Sequence, residues 1–576
     1  MSDAIGPEVG RVLGTDEATP LKYWFALQPG RVVQLDDVVV TERQTEDGEV
    51  VLSGIVTQVR ARHEGARFDT DVFLIEDGIL PAQVSESAEV LTTRVEPEVY
   101  VPPLPGTAVR RARGKERDQA LYFDQMDQRL PIGLGRDGQV LYANFEFLDG
   151  TRGAHVNISG ISGVATKTSY ATFLLYSMFH SGVLGAEAAN TKALIFNVKG
   201  EDLLFLDHPN GRLSQQHRAR YEAIGLPSEP FGSVAIYAPP RRGDPNAGPD
   251  VATRTTGVDV YYWTLAEFVD QELLPFAFVE PEDERNQYTM LIHWVAAHLK
   301  REGEPSGDDG AWRIDGRVLR TYADLVDHVV DNLTLQMWQP PATSMGTVNA
   351  FVRRLLSSQR ALGHLVRADI PLRPRHTIRT SDAQVTVVDL HNLPDRAQRF
   401  VVGVTVKRTF EEKEAAGSAR PLLFLVLDEL NKYAPREGQS PIKEILLDVA
   451  ERGRSLGVLL IGAQQTASEV ERRVIANSSI RVVGRLDTAE AARAEYGFLP
   501  AIHRERATIA KPGTMFVSQP EIPVPLVVEF PFPAWATRHS EAGAPPSASL
   551  RSIVQGADPF AVVGGGGGSP DDDIPF

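Results

Sequence analysis

Six apolar runs, HVNISG, ALIFNV, VTVVDL, LLFLVLDE, GVLLIGAQQ and IRVVGRL, lack the polar alternation of a strand with one wet face. A strand that is apolar on both faces must be covered on both, as in parallel sheets whose crossover helices pack above and below. Helical stretches separate the runs. The pattern therefore predicts a doubly wound α/β core with a mainly parallel sheet, closed by strands in MFVSQPEIPVPLVVEF.

The chain has 576 residues, too many for one ordinary core. From Glu8 to Pro105, short β-branched runs (VVQLDDVVVTER, EVVLSGIVTQVRAR, DTDVFLI, EVYVPP) alternate with turn residues, a spacing that predicts a small antiparallel β-barrel over residues 1–110. A charged, Gly-rich connector ending in QVLYANFEFL leads into the α/β core, over 111–530. Between Asp207 and about Thr380, EFVDQELLPFAFV, YTMLIHWVAAHLKRE, YADLVDHVVDNL and VNAFVRRLLSSQRALGHLV carry helical periodicity, and a helical insertion is expected at about 208–380. Residues 531–576 turn to Ala, Ser, Pro and Gly, run through five glycines and end in DDDIPF, a composition expected to stay disordered.

Apolar, aromatic and charged fractions of 42%, 8% and 23% are those of a folded globular protein. No stretch approaches the roughly 20 apolar residues of a membrane span, and MSDAIGPEVG lacks a signal-peptide pattern, so a cytoplasmic protein is expected. With no cysteine, and 13 histidines without ligand spacing, no thiolate or histidine metal site is expected. A net charge of −17 excludes a protein that coats nucleic acid with its whole surface. Any DNA contact must be local, as in a ring whose pore loops concentrate positive charge.

The strand HVNIS runs into Gly160-Ile161-Ser162-Gly163-Val164-Ala165-Thr166-Lys167-Thr168-Ser169, and a helix follows. Backbone N–H groups of such a loop and the helix dipole can cradle phosphates, with Lys167 on the β- and γ-phosphates and the Thr168 hydroxyl on Mg²⁺. The loop departs from GxxxxGK[ST]: Thr166 replaces the last glycine, and the interval from Gly160 to Lys167 is one residue longer. A polar turn capped at Thr168 or Ser169 is the alternative. The apolar run LLFLVLDEL delivers Asp428 and Glu429 to the C-terminal end of a strand, the edge where open α/β sheets bind ligands. There Asp428 can hold the Mg²⁺ shell and Glu429 can orient or deprotonate a water; alternatively, the pair is a solvated helix cap. Gln464 ends the next strand, placed to sense a γ-phosphate or to serve as an ordinary strand-terminal amide. Arg454 in ERGRSLG is the first candidate for an arginine supplied to a neighbour's site, and Arg152 the second; each could equally form a structural ion pair.

Together with ALIFNVKGEDLLFL, VTVVDLHNL, LVLDELNKYAP, ERGRSLGVLLIGAQQ, NSSIRVVGRLD and PGTMFVSQPEIPVPLVVEF, these segments resemble the HerA family within the HerA and FtsK superfamily of ring ATPases, from about Glu8 to Phe530 and in that family's order. The resemblance implies an N-terminal β-barrel, a RecA-like P-loop core with a helical insertion, and a homo-hexamer that uses ATP and Mg²⁺ to move along double-stranded DNA, often with a NurA nuclease in end resection during recombination repair. Lys167, Thr168, Asp428, Glu429, Gln464 and Arg454 match its motif roles. Asn197 stands where the family more often has Asp. The terminus Asp571-Asp572-Asp573-Ile574-Pro575-Phe576 resembles the acidic tip of bacterial single-stranded-DNA-binding protein, which implies docking of repair proteins through the Phe ring and terminal carboxylate.

The function expected is an ATP-driven DNA translocase or helicase. The alternatives are a nucleotide-dependent ring scaffold for a nuclease or defence effector, and a secretion or conjugation ATPase.

Overall fold

In the computed structural model, residues 6–161, 167–278 and 286–542 are described. Ser162, Gly163, Val164, Ala165 and Thr166 of the expected phosphate loop, and the six residues Asp571 to Phe576, lie outside them.

The first 111 residues hold six strands, β1 (Glu8–Val12), β2 (Lys22–Leu27), β3 (Val38–Thr45), β4 (Gly48–Glu64), β5 (Gln83–Glu96) and β6 (Ala108–Arg111), closed into a barrel in the order β1-β2-β5-β4-β3-β6. Tyr23, Phe25, Val39, Val56, Val90 and Val109 fill it and are fully buried. Closure removes the unpaired edges that an open sheet of these short strands would expose. Two runs expected as strands differ. DVFLI is a helix, Asp71–Glu76, at the tip of the long β4–β5 hairpin, with the Asp71 carboxylate accepting from the N–H groups of Arg67 and Phe68; EVYVPP lies outside any strand. At the hairpin tip there is no neighbouring strand to pair with, so local helix formation satisfies the backbone instead. The barrel is tied to the core by Arg506, whose guanidinium donates to both carboxylate oxygens of Asp36 at 2.8 and 2.6 Å.

The core is a twelve-stranded mixed sheet. Its strands are β7 (Arg129–Leu134), β8 (Val140–Asn144), β9 (Val156–Ser159), β10 (Lys192–Asn197), β11 (Val234–Ala238) and β12 (Val258–Val260). After a small separate sheet of β13 (Glu304–Ser306), β14 (Ala311–Ile314) and β15 (Arg317–Leu319) come β16 (Val385–Asp389), β17 (Leu423–Asp428), β18 (Val458–Gln464), β19 (Ile480–Val483), β20 (Thr514–Gln519) and β21 (Ile522–Glu529). The order is β12-β11-β16-β10-β17-β18-β9-β19-β20-β21-β7-β8; the stretch from β12 to β19 is parallel and the rest antiparallel. The continuous apolar runs form the parallel part, and β9, β16, β17 and β18 are buried at every position. The expected α/β class, mainly parallel sheet, N-terminal barrel and helical insertion are all present.

The range 208–380 is not wholly helical. It contributes β11 and β12 to the core sheet before the helices Asn286–Glu302, Tyr322–Asn332 and Met345–Leu362. These two strands are short and begin half-buried, so they lack the long apolar run that marks the others. The chain also stays packed beyond Phe530. Trp535 is 1% exposed between Tyr176 and Phe231, with ring centroids at 4.8 and 5.0 Å, a burial contributing roughly 2–3 kcal/mol. The composition shift at 531 thus precedes the end of the packed chain, because one aromatic anchor outweighs the Pro and Ala around it. Among the described residues no helix is long and apolar enough to cross a membrane.

The helix carrying Arg454, Pro441–Leu456, shows how local sequence sets an element. The Ser440 hydroxyl accepts from the Lys443 N–H, Pro441 takes the first turn, where no N–H is needed, and Gly457 ends it at φ 67°. A Cβ at Gly457 would lie 1.9 Å from the Ala419 carbonyl oxygen, so only glycine lets the chain turn there into β18.

Candidate functional site

Parallel pairing aligns strand ends, and here it gathers the polar residues on one edge of the sheet. Ser159 of β9 is in register with Gln464 of β18, Asp428 of β17 with Ala463 of β18, and Asn197 of β10 with Asp389 of β16. β18 lies between β9 and β17, so the strand leading to the phosphate loop and the acidic strand are one strand apart. That spacing leaves room for the helix Lys167–His180 to begin over the sheet edge.

Two distant segments meet at the start of that helix. The Thr168 hydroxyl donates to Oδ2 of Asp428 at 2.7 Å, across 260 residues of sequence. The Lys199 ammonium reaches the same oxygen at 2.7 Å, and the Glu429 N–H donates to Oδ1 at 2.9 Å. Asp428 is 4% exposed, so its charge is held by three donors rather than by water. Lys167 is also 4% exposed and donates to the Gly160 carbonyl oxygen at 2.7 Å. Burial, and secondarily the Lys199 charge, pulls its ammonium down to about 8, against the opposing pull of Asp428 and Glu429. A buried cation crowded by a second cation has unmet demand for negative charge, which a polyphosphate would supply.

Glu429 holds φ 56° and ψ 47°, a left-handed conformation costly for a residue with a Cβ. The turn ends β17 abruptly and leaves the carboxylate accessible, 3.8 Å from the Lys432 ammonium. Gln464 is fully buried, with its amide donating to Asn157 Oδ1 at 2.8 Å and Ser159 Oγ at 2.9 Å. The two arginines have partners within the chain. Arg454 donates to the carbonyl oxygens of Gly150 and Thr151 at 2.9 and 2.6 Å. Arg152 pairs with Glu521 and, at 3.5 Å, with Glu146, and lies 4.8 Å over the Phe147 ring. Neither lines the cavity described next.

A cavity of about 400 Å³ opens beside this cluster, with Lys167, Thr168, Ser169, Lys199 and Asp428 at one part of its wall and Phe530 to Pro533 at another. Gly160, whose carbonyl accepts from Lys167, is packed so that a Cβ would stand 3.2 Å from the Arg485 carbonyl oxygen. One carboxylate and one hydroxyl at a helix start are the hard-oxygen donors that Mg²⁺ takes from a protein when phosphates and waters complete its octahedron. Asp428 and Thr168 fit that ion.

Lys199 received no role from sequence reasoning. The signal was present: it directly follows the apolar run ALIFNV, two residues past the end of β10, and so emerges at the sheet edge that holds Asp428. Asn197 is likewise engaged, donating to Asp389 Oδ1 at 2.9 Å and to the Gly200 carbonyl oxygen at 2.8 Å. Asp389 is fully buried, and burial raises its carboxyl above the usual range while His391, 2.7 Å away, opposes the shift.

No protein-family model matches the chain, and no curated protein matches it in sequence. Solved structures similar to it include VirB4 of Thermoanaerobacter pseudethanolicus, 15% identical over 70% of this chain and 96% of that one, with a TM-score of 0.42. The bacterial plasmid coupling protein TrwB in complex with ADP and Mg²⁺ is 12% identical over 73% of this chain and 93% of its own, with a TM-score of 0.45. The genome packaging NTPase B204 of Sulfolobus turreted icosahedral virus 2 is 14% identical over 26% of this chain and 68% of its own, with a TM-score of 0.20. In its own strand order, β19-β9-β18-β17-β10, and in the position of its polar edge, the chain has a RecA-like core.

Proposed function

We propose that the chain is an ATP hydrolase that works as a homo-hexamer and moves along double-stranded DNA. The observation that carries the nucleotide part is the 2.7 Å contact between Thr168 and Asp428, with Lys167 beside it. Lys167 binds the β- and γ-phosphates, Thr168 and Asp428 hold Mg²⁺, and Glu429 positions or deprotonates the attacking water. When bound, the ion neutralises phosphate charge that would otherwise oppose attack. Gln464 exchanges its bonds to Asn157 and Ser159 for the γ-phosphate side of the site, and Arg454, or else Arg152, reaches a neighbour's site after leaving its present partners.

Lys199 occupies the Asp428 oxygen that Mg²⁺ would use, so the two cations compete. Lys199→Ala is expected to lower the free Mg²⁺ giving half-maximal nucleotide binding several-fold, read by a fluorescent ADP analogue; an unchanged Mg²⁺ dependence rules the competition out.

The DNA-motor part rests on the resemblance to the HerA family and on an acidic chain whose DNA contacts must be local. The same resemblance supports a NurA-type nuclease as partner in end resection and homologous-recombination repair, and helicase activity. The DDDIPF terminus supports docking of repair proteins. DNA-stimulated ATPase tests the reading. A motor is expected to be stimulated strongly by duplex DNA, with stimulation falling steeply as salt rises; a nucleotide-dependent scaffold would hydrolyse at the same rate with and without DNA. In that assay Phe576→Ala is expected to leave turnover unchanged while abolishing tail-dependent partner capture.

A further inference from the structure

Beside Glu429 stands a second charged group, Lys432. Glu429 caps the short helix Leu430–Tyr433 from its left-handed turn, and the Lys432 N–H donates back to the Glu429 carbonyl oxygen at 2.8 Å. This single tight turn brings the two side chains side by side, with the Lys432 ammonium 3.8 Å from Oε2 of Glu429. At that distance the charges attract without a hydrogen bond.

The ammonium is seated on another element. It donates to Gln398 Oε1 at 2.8 Å and lies 3.1 Å from Asp395 Oδ1, both in the first turn of the helix Asp395–Ala416. Gln398 is 6% exposed, and its amide nitrogen donates to the carbonyl oxygens of Leu390 and Leu393 at 3.1 and 2.9 Å, in the turn that follows β16. Both ends of the amide are thereby used: the nitrogen faces the carbonyls, so the oxygen must face Lys432. The seat is rigid because backbone, not water, sets its orientation. An ammonium carries three N–H donors, and Gln398 and Asp395 engage at most two of them. The Glu429 side chain, by contrast, is half-buried on a flexible stem. A group that activates water has to be held closely, since about 1 Å of misplacement can cost on the order of 100-fold in rate.

We propose that Lys432 is a positioning residue for Glu429: held by Gln398 and Asp395, it donates its remaining N–H to one carboxylate oxygen when nucleotide is bound and leaves the other oxygen to face the attacking water. The inference rests on reading Glu429 as the carboxylate that orients or deprotonates that water. Closing the gap from 3.8 Å to a hydrogen bond takes about 1 Å of side-chain movement. A carboxylate accepts at both oxygens, so the contacts to Lys432 and to water do not exclude one another.

The experiment measures steady-state and single-turnover ATP hydrolysis by the full chain carrying Lys432→Met, which keeps the apolar stem and removes the charge, or Lys432→Arg, which keeps the charge. Lys432→Met is expected to lower kcat about tenfold with the KM for Mg–ATP within about twofold of wild type, and Lys432→Arg to recover most of the loss. The unchanged KM shows that the Met variant is folded at the site. Added to Glu429→Gln, which has no proton acceptor to position, Lys432→Met is expected to cause no further loss in single turnover. Wild-type kcat in the Met variant, a raised KM with kcat unchanged, an Arg variant no better than Met, or a full tenfold loss on top of Glu429→Gln would overturn the proposal. The two readings fail separately. Glu429→Gln hydrolysing at the wild-type rate removes Glu429 itself, whereas a slow Glu429→Gln beside a normal Lys432→Met removes only Lys432.

Discussion

Replacing Glu429 by Gln is expected to lower ATP turnover about 100-fold or more while Mg–ATP affinity changes only a few-fold. The carboxylate sits on the left-handed turn directly after Asp428, and the strain of that turn is maintained by the Glu429 N–H donating to Asp428. Glutamine keeps this backbone bond and nearly the same shape, so the change removes a proton acceptor and little else. Its side chain is 31% exposed, and the core beneath is untouched. Hydrogen bonding to a water would survive in part, but proton transfer would not, which is why turnover and binding should separate. Single-turnover hydrolysis with radiolabelled ATP checks this, and the variant should accumulate ATP-bound protein. Hydrolysis at the wild-type rate would assign the water-activating role elsewhere.

Lys167→Ala is expected to act on the other parameter, weakening Mg–ATP binding roughly 10- to 100-fold through loss of one charge-assisted contact to phosphate. Among the described residues the ammonium donates to the Gly160 carbonyl, and burial beside Lys199 already disfavours its charge. A bound triphosphate relieves that, so the contact is worth more than an exposed lysine–phosphate pair. Thermal unfolding of the variant near the wild-type temperature would confirm that the loss is local. Nucleotide affinity equal to wild type would remove Lys167 from the site.

Much of this was legible from residue patterns because burial on both faces leaves a strong mark. The runs ending at Ser159, Asp428 and Gln464 could only be interior parallel strands, and strand ends on one edge imply a shared site. What escaped has physical reasons as well. β11 and β12 are short strands toward the sheet's far edge, and their half-exposed residues blend into neighbouring loops. DVFLI has strand composition but occurs where no partner strand exists, so its environment overrode its propensity. The strap after Phe530 has a loop's composition, and its order depends on contacts to Tyr176, Tyr221 and Phe231, hundreds of residues away in sequence. Lys199 was visible in the chain but not its partner, since only the pairing of β10 beside β17 brings it to Asp428. Arg454 and Arg152 are candidates for a neighbouring subunit or for structural pairs on sequence alone, and within the chain they hold carbonyls and carboxylates.

The most direct measurement is an experimental structure of the full chain with Mg²⁺, a non-hydrolysable ATP analogue and duplex DNA. The metal is expected to be held by Thr168 and Asp428 with Lys199 displaced, and the γ-phosphate to lie against Lys167. Nucleotide bound anywhere else, with the Thr168–Asp428–Lys199 cluster unchanged, would contradict this expectation.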